Sequence, residues 1–287
     1  MITFKQLGTV GRLGNQFFQY AALYSLAKHN GYDFCIPEPS KSMHHNQKCL
    51  LGEFNISAKI DSSATPPKRY HEPDPWHYDN NFFSIPDDVD IVGFFQSVWY
   101  FGDRTEEIKK ELTPKKKHIK LANEWKSSLT KNRPIVSLHL RRGDNCDDTD
   151  NEIAKQTSYG NTDKLDPNSF MGKYINNAID KFKDINPLFV IFTGGSRDGD
   201  NTKDIEWCKT NFNSDQFIIG SSNDELSDFC RIMCCDHNII SPISSFGWWA
   251  AFLNKNQNKK VIAPTHYHPG VDITHRPMFY PKEFTLI

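Results

Sequence analysis

Ile135-Val136-Ser137-Leu138-His139-Leu140-Arg141-Arg142-Gly143-Asp144 reads as a strand that runs into a glycine turn. Pro134 leads it in and Gly143 closes it. Successive strand side chains point to opposite faces. Val136, Leu138, Leu140 and Arg142 therefore share one face, and Ile135, Ser137, His139 and Arg141 share the other. In open α/β sheets, ligands sit in the crevice at the carboxyl ends of the strands. Arg141 is thus placed to meet an anion with its bidentate fork, and His139 points the same way. Arg142 points away and reads as structural. As bare residues, the arginine pair is equally open to bridging surface carboxylates.

Strands and helices alternate outward from this stretch in both directions. Upstream, residues 3–10 read as a strand, Gly11-Arg12-Leu13-Gly14-Asn15-Gln16 as a glycine-rich turn, and Phe17 to Lys28 as a helix that is apolar almost all round. Asn30-Gly31 stops that helix, and Tyr32 to Ile36 forms the next strand. Residues 37–90 are irregular, with Pro66-Pro67 and Glu72-Pro73-Asp74-Pro75 as breakers. Asp90 to Ser97 reads as a strand, and 103–112 and 118–130 as helices with polar outer faces, with Lys115-Lys116-Lys117 as a solvated turn between them. A boundary between two halves, 1–133 and 134–287, is expected at residues 131–134.

Downstream of the arginine strand comes a polar loop from Asp144 to about Asp166, then a helix from Phe170 to Phe182 and a buried strand from Leu188 to Thr193. A helix starting near Ile205, a strand at Phe217-Ile218-Ile219 and a helix from Asp224 to Cys235 follow, then a short strand at Asn238-Ile239-Ile240. Ser244-Ser245-Phe246-Gly247-Trp248-Trp249-Ala250-Ala251 turns from strand into helix, and Lys260 to Pro264 is a last strand. The alternation indicates an α/β chain with mostly parallel sheets. Two of its helix starts suit phosphate, because backbone N–H groups there meet little side-chain obstruction. They are the Gly11 to Gln16 turn and the Ser244-Ser245 cap. The first is equally open to being a tight turn beside a neighbouring helix, since it matches neither G-x-G-x-x-G nor the P-loop.

The 287 residues carry a formal net charge of −1, so any anion site is a local cluster rather than a basic surface for nucleic acid or membrane. No apolar run approaches the ~18 residues of a membrane span, and the first residues lack a signal-peptide pattern. The seven cysteines are odd in number and irregular in spacing, which suits free thiols in a reducing, cytoplasmic setting. Asn55-Ile56-Ser57 is a sequon without a secretion signal. His44-His45 and His71/His77 lack metal-ligand spacing, and no metal is expected. Asp198-Gly199-Asp200-Asn201-Thr202 has a calcium-loop look but lacks the later ligands, with Lys209 at the twelfth position. Trp76, His77 and Tyr78 are open to two readings, contacts to a sugar or partner and anchors of their own loop.

Three segments together carry a resemblance. Gly11-Arg12-Leu13-Gly14-Asn15-Gln16-Phe17-Phe18-Gln19-Tyr20-Ala21 resembles the G-x-L-G-N-Q-x-F-Q-Y-A signature of α-1,2-fucosyltransferases, glycosyltransferase family 11. His139-Leu140-Arg141-Arg142-Gly143-Asp144 is similar to their H-x-R-R-G-D motif, and Ser244 to Ala251 to their S-S-F-S-W-W-x-A motif. Order and separation also fit, so the resemblance spans nearly the whole chain. It departs at Asn145 in place of the usual Tyr, at Ile243 in place of Asn, and at Phe192-Thr193-Gly194-Gly195 in place of F-S-D-D.

The resemblance implies a GT-B-like fold of two facing Rossmann-type halves with a cleft between them. The N-terminal half would be the acceptor side and the C-terminal half the donor side. It implies inverting, metal-independent transfer of L-fucose from GDP-fucose to a hydroxyl, O2, of a terminal galactoside. Arg141 would hold the diphosphate and His139 would lie near guanine or the phosphates. Gly11, Gly14, Asn15, Ser244, Ser245 and Phe246 would line the donor pocket. Asp228 would accept from guanine, unless it is a surface carboxylate. Asp144 is a candidate for the base that takes the acceptor proton, or else it braces the turn; Asp147 and Asp148 compete for the same role. The rival functions are a non-catalytic binder of guanine nucleotide or glycan, and a metal hydrolase built on the histidine-rich loops.

Overall fold

The computed structural model describes residues 1–44, 46–129, 132–147, 163–196, 198–222, 224–242, 244–268, 271–273 and 279–287. His45, Asp148, Asp150 and Ile243 lie outside them, as does the side chain of Asp147. The chain divides into two compact units. One is Met1–Lys115 with Arg276–Pro281, and the other is Lys116–His275 with Lys282–Ile287.

The first unit holds a five-stranded sheet. Its strands are β1 (Ile2–Thr3), β2 (Phe34–Ile36), β5 (Lys59–Ile60), β6 (Lys68–His71) and β7 (Val89–Val92), in the order β5-β2-β1-β7-β6. Every pairing within it is parallel. A separate antiparallel hairpin pairs β3 (Met43–His44) with β4 (Gln47–Lys48). Helix α1 (Leu13–Asn30) follows β1 and is buried along almost its whole length, as its apolar surround requires. It ends where Gly31 takes a φ of 70° and returns its N–H to Ala27. A short α2 (Thr105–Glu111) completes the unit.

The second unit is built on six strands: β8 (Ile135–Arg141), β9 (Leu188–Gly194), β10 (Phe217–Ile219), β11 (His237–Ile239), β12 (Val261–Ala263) and β15 (Thr285–Leu286). Their order is β10-β9-β8-β11-β12-β15, all parallel. Strand order therefore runs outward from β8 in both directions. Val136, Leu138 and Leu140 face one core, shared with Met171, Tyr174 and Ile175 of α5 (Phe170–Asp180) and with Trp207 and Cys208 of α6 (Thr202–Asn211). Helices α3 (Lys116–Leu129), α7 (Glu225–Cys234) and α8 (Ser245–Leu253) pack together. Contacts such as Trp125 against Phe192 and Phe246 against His139 place them on the other face. A doubly wound sheet results, with α4 (Asp144–Asp147) at the end of β8. The tail adds a small hairpin of β13 (His266–His268) and β14 (Val271–Asp272).

Several boundaries differ from the sequence expectation. The strand expected over 3–10 is only Ile2–Thr3, because the amides of Leu7 and Thr9 turn back to Phe4 and Gln6. Helix α1 starts at Leu13, so Gly14, Asn15 and Gln16 form its first turn instead of preceding it. The strand expected over 90–97 is Val89–Val92, and Gly93 to Ser97 lies beyond it. The units meet between Lys115 and Lys116, ahead of residues 131–134, because α3 packs on α7. All seven cysteines are free; Cys146 and Cys234 are half-buried and the other five are buried.

Candidate functional site

In the second unit the strand order reverses between β8 and β11, which opens the crevice where a doubly wound sheet takes its ligand. Arg141 stands at the carboxyl end of β8. Its amide donates to Ser241 Oγ at 3.0 Å, just past the end of β11. Its guanidinium donates through Nη2 to Asp144 Oδ1 at 2.8 Å, and the Arg141 side chain stays 19% exposed. Gly195 lies directly under that guanidinium. A β-carbon there would sit 1.7 Å from Nη1, and its φ of +98° disfavours any other residue. Gly143 is held as closely: a β-carbon on it would lie 2.2 Å from the carbonyl carbon of Gly195. Two glycine turns, after β8 and after β9, thus touch and carry the arginine between them.

Arg142 turns to the opposite face, as the strand period requires. Its Nε donates to Asp204 Oδ1 at 3.1 Å, while Asp204 Oδ2 accepts the amide of Gly143 at 2.9 Å. The guanidinium lies 3.8 Å from the ring centroid of Trp207. Both side chains of this ion pair are 8% exposed, so it anchors the turn from within the core.

His139 is 6% exposed and packs against the first turn of α8. Its ring lies 5.8 Å from that of Phe246, and a β-carbon on Gly247 would come within 2.5 Å of Nδ1. Burial, and after it the positive charge of Arg141, push its pKa down to about 3. The imidazole is neutral at physiological pH, so it can offer a hydrogen bond but no charge. Among the described residues, Nδ1 is buried without a hydrogen-bond partner. Ser244 caps α8 by accepting the Gly247 amide on Oγ at 3.3 Å. Phe246 fills the space between His139 and Phe229.

Asp228, on α7, is 8% exposed and is not a surface carboxylate. Its two oxygens accept the Ser222 amide at 2.9 and 3.0 Å, and Ser222 Oγ donates to Oδ1 at 2.8 Å. Arg231 Nη1 lies 3.7 Å away. Desolvation outweighs these partners and pushes its pKa up to about 7.

In the first unit, Gly11 precedes α1 with a φ of +81°. Gln16 Nε2 donates to the carbonyl of Gly11 at 2.9 Å. Gln19 Nε2 donates to the carbonyls of Val10 and Gly93 at 3.2 and 3.1 Å. Both glutamines are buried and staple the turn in place. Asn15 Oδ1 accepts from Gln96 Nε2 at 2.8 Å, and Gly14 is buried in the first helical turn.

Of the residues singled out in the sequence, the structure sets Arg141 against Asp144, and His139 against Phe246 at the Ser244-capped start of α8, all in the second unit. Sequence reading missed Ser241, Ser222, Asp204 and Gly195. The Gly194-Gly195 pair at a strand end was an available signal for the last of these; Ser241 and Ser222 carried none. Among the described residues, no group of three or more His, Cys, Asp or Glu is arranged to hold a metal ion. None of the described helices is long and apolar enough to cross a membrane.

The profile of glycosyl transferase family 11 matches residues 3–273 of this chain. Galactoside alpha-(1,2)-fucosyltransferase 2 of Bos taurus is 30% identical over 268 residues, covering 86% of this chain and 68% of the relative. Its counterpart in Sus scrofa is 28% identical with the same coverage. Among solved structures, NodZ alpha-1,6-fucosyltransferase soaked with GDP-fucose superposes with a TM-score of 0.52 at 13% identity, covering 88% of this chain and 92% of that one. POFUT1 in complex with GDP gives a TM-score of 0.50 at 15% identity, covering 90% and 95%. At such identities the likeness concerns the fold, which is the expected α/β, GT-B-like one.

Proposed function

The chain belongs to glycosyl transferase family 11, and from that premise we propose that it moves L-fucose from GDP-fucose to O2 of a terminal galactoside, inverting the anomeric centre without a metal ion. The observation that carries the reading is the guanidinium of Arg141, held by Asp144 at the carboxyl end of β8.

Breaking the bond to the diphosphate builds negative charge on the leaving group while the sugar carbon becomes oxocarbenium-like. A preorganised cation and helix amides stabilise that charge without reorganising during the step. We assign the cation to Arg141 and the amides to the start of α8 at Ser244-Ser245. The neutral imidazole of His139 suits a hydrogen bond to the nucleotide. A carboxylate at Asp228 suits guanine N1–H and N2–H. Of the two tasks open to Asp144, holding the guanidinium is the one its 2.8 Å contact supports. As the new bond forms, the acceptor hydroxyl loses its proton. The free cysteines suit a reducing compartment, and we assign the enzyme to the cytoplasm.

The test is to mix the protein with GDP-fucose and a panel of galactose-terminated acceptors in EDTA, and to follow GDP release. Linkage is then read by NMR. Turnover with an α-(1→2) product is expected. Absence of GDP release across the panel, with or without divalent metal, would overturn the assignment.

A further inference from the structure

Two adjacent strands of the first unit, β6 and β7, end at the same edge of the parallel sheet. The segments that leave them carry aromatic side chains with solvent-facing surface. Trp76 is 44% exposed and Trp99 is 43% exposed, whereas Trp248 and Trp249 are fully buried. The two segments meet: Tyr78 packs edge-on against Trp99 with ring centroids 5.2 Å apart, and against Tyr100 at 4.9 Å. The amide of Asp79 donates to Tyr100 Oη at 3.1 Å.

We propose that Trp76, Tyr78 and Trp99 form the platform on which the sugar of the galactoside acceptor stacks, with His77 at its polar rim. This rests on reading the chain as a galactoside fucosyltransferase.

Local hydrogen bonds fix the backbone at Trp76 and Trp99 and the ring of His77. Asp74 Oδ1 accepts the Trp76 amide at 2.7 Å, and Asp74 Oδ2 accepts His77 Nδ1 at 2.7 Å. Ser97 Oγ accepts the Trp99 amide at 3.2 Å. Glu72 clasps the amides of Phe94 and Phe95 at 2.7 and 3.0 Å, which ties one segment to the other. A segment that is already ordered loses little freedom when a ligand lands on it. A pyranose presents an apolar patch of C–H bonds rimmed by hydroxyls, and galactose keeps one C–H face contiguous because its O4 is axial. A flat indole matches the apolar patch, and a neighbouring hydrogen-bonding group matches the rim. His77 supplies the latter: its side chain is 80% exposed while Asp74 fixes the ring. The platform also shares its corner of the unit with the glycine turn, since Gln96 donates to Asn15 and Gln19 to Gly93.

The test has two arms, each using the full chain. In the first, acceptor and donor KM are measured with GDP-fucose and lactose for wild type, Trp99→Ala, Trp76→Ala and Trp99→Phe. Each alanine variant is expected to raise the acceptor KM about tenfold, the size of one aromatic contact, with donor KM unchanged and Trp99→Phe close to wild type. In the second, the indole N–H resonances are followed as lactose is added with and without saturating GDP. Those of Trp76 and Trp99, assigned from the variants, are expected to shift while those of the buried tryptophans stay. Wild-type turnover with unchanged acceptor KM in both alanine variants would overturn the platform and leave the activity standing. Lactose shifts without turnover would overturn the activity and keep the sugar site. A change in sedimentation of the variants with no lactose shift would reassign the patch to a protein contact.

Discussion

The guanidinium of Arg141 rests on the bare α-carbon of Gly195, where a β-carbon would stand 1.7 Å from Nη1. Gly195→Ala must therefore displace Arg141 as well as strain a backbone at φ +98°. Its activity is expected to fall about 10²- to 10³-fold, the usual loss when one charge-stabilising donor moves away. GDP release measured beside the circular dichroism spectrum checks this, since the sheet should persist.

Arg141→Lys keeps the charge and loses the planar fork that donates to Asp144 and that the proposed mechanism also turns on a diphosphate. It should recover little over Arg141→Ala, with kcat/KM down about 100-fold or more. Steady-state kinetics at saturating acceptor decide the matter. Near-wild-type turnover by the lysine variant would show that a point charge suffices.

Asp204→Ala strips Arg142 of its buried partner and the Gly143 amide of its acceptor. Leaving a buried cation uncompensated costs about 3–5 kcal/mol. A large drop in urea midpoint is expected. The double variant Arg142→Met with Asp204→Leu should recover much of it, because no isolated charge remains.

The buried carboxyl of Asp228 titrates near pH 7 in the folded chain against 3.8 ordinarily. The folded state therefore holds a proton that the unfolded state releases. Its contribution to stability is complete below about pH 4 and is lost as pH rises toward 7. His139 acts the other way: its contribution is present above 6.5 and is lost as pH falls toward 3. Urea unfolding of wild type and Asp228→Asn from pH 4 to 7 separates the two. Relative to the variant, wild type should lose stability as pH rises.

Much of the second unit was legible because its signals are local. The two-residue period of β8 separates Leu138 and Leu140 from His139 and Arg141, and the contacts follow that division. Likewise Gly31 stops α1 by a conformation that glycine adopts freely. What stayed hidden depends on partners distant in sequence. Helix α3 belongs to the second unit through Lys126 on Asp236, Arg231 over Trp125 and Cys234 on the Ala122 carbonyl. The lysines before it read only as a solvated turn. Whether Asp228 is a surface carboxylate stayed open because helical spacing says nothing of the Ser222 loop that covers it. The contact of Asp144 with Arg141 was likewise out of reach, because it depends on which way a turn folds.

The distribution of sulfur makes the protein its own unfolding clock. Cys35 and Cys49 are sealed in the first unit, and Cys208, Cys230 and Cys235 in the second, while Cys146 and Cys234 reach the solvent boundary. Burial holds the Cys208 and Cys230 thiols near 12, so little thiolate exists to react until the surrounding core opens. Pulsed alkylation followed by peptide mass mapping would then time the opening of each unit separately, with no engineered label.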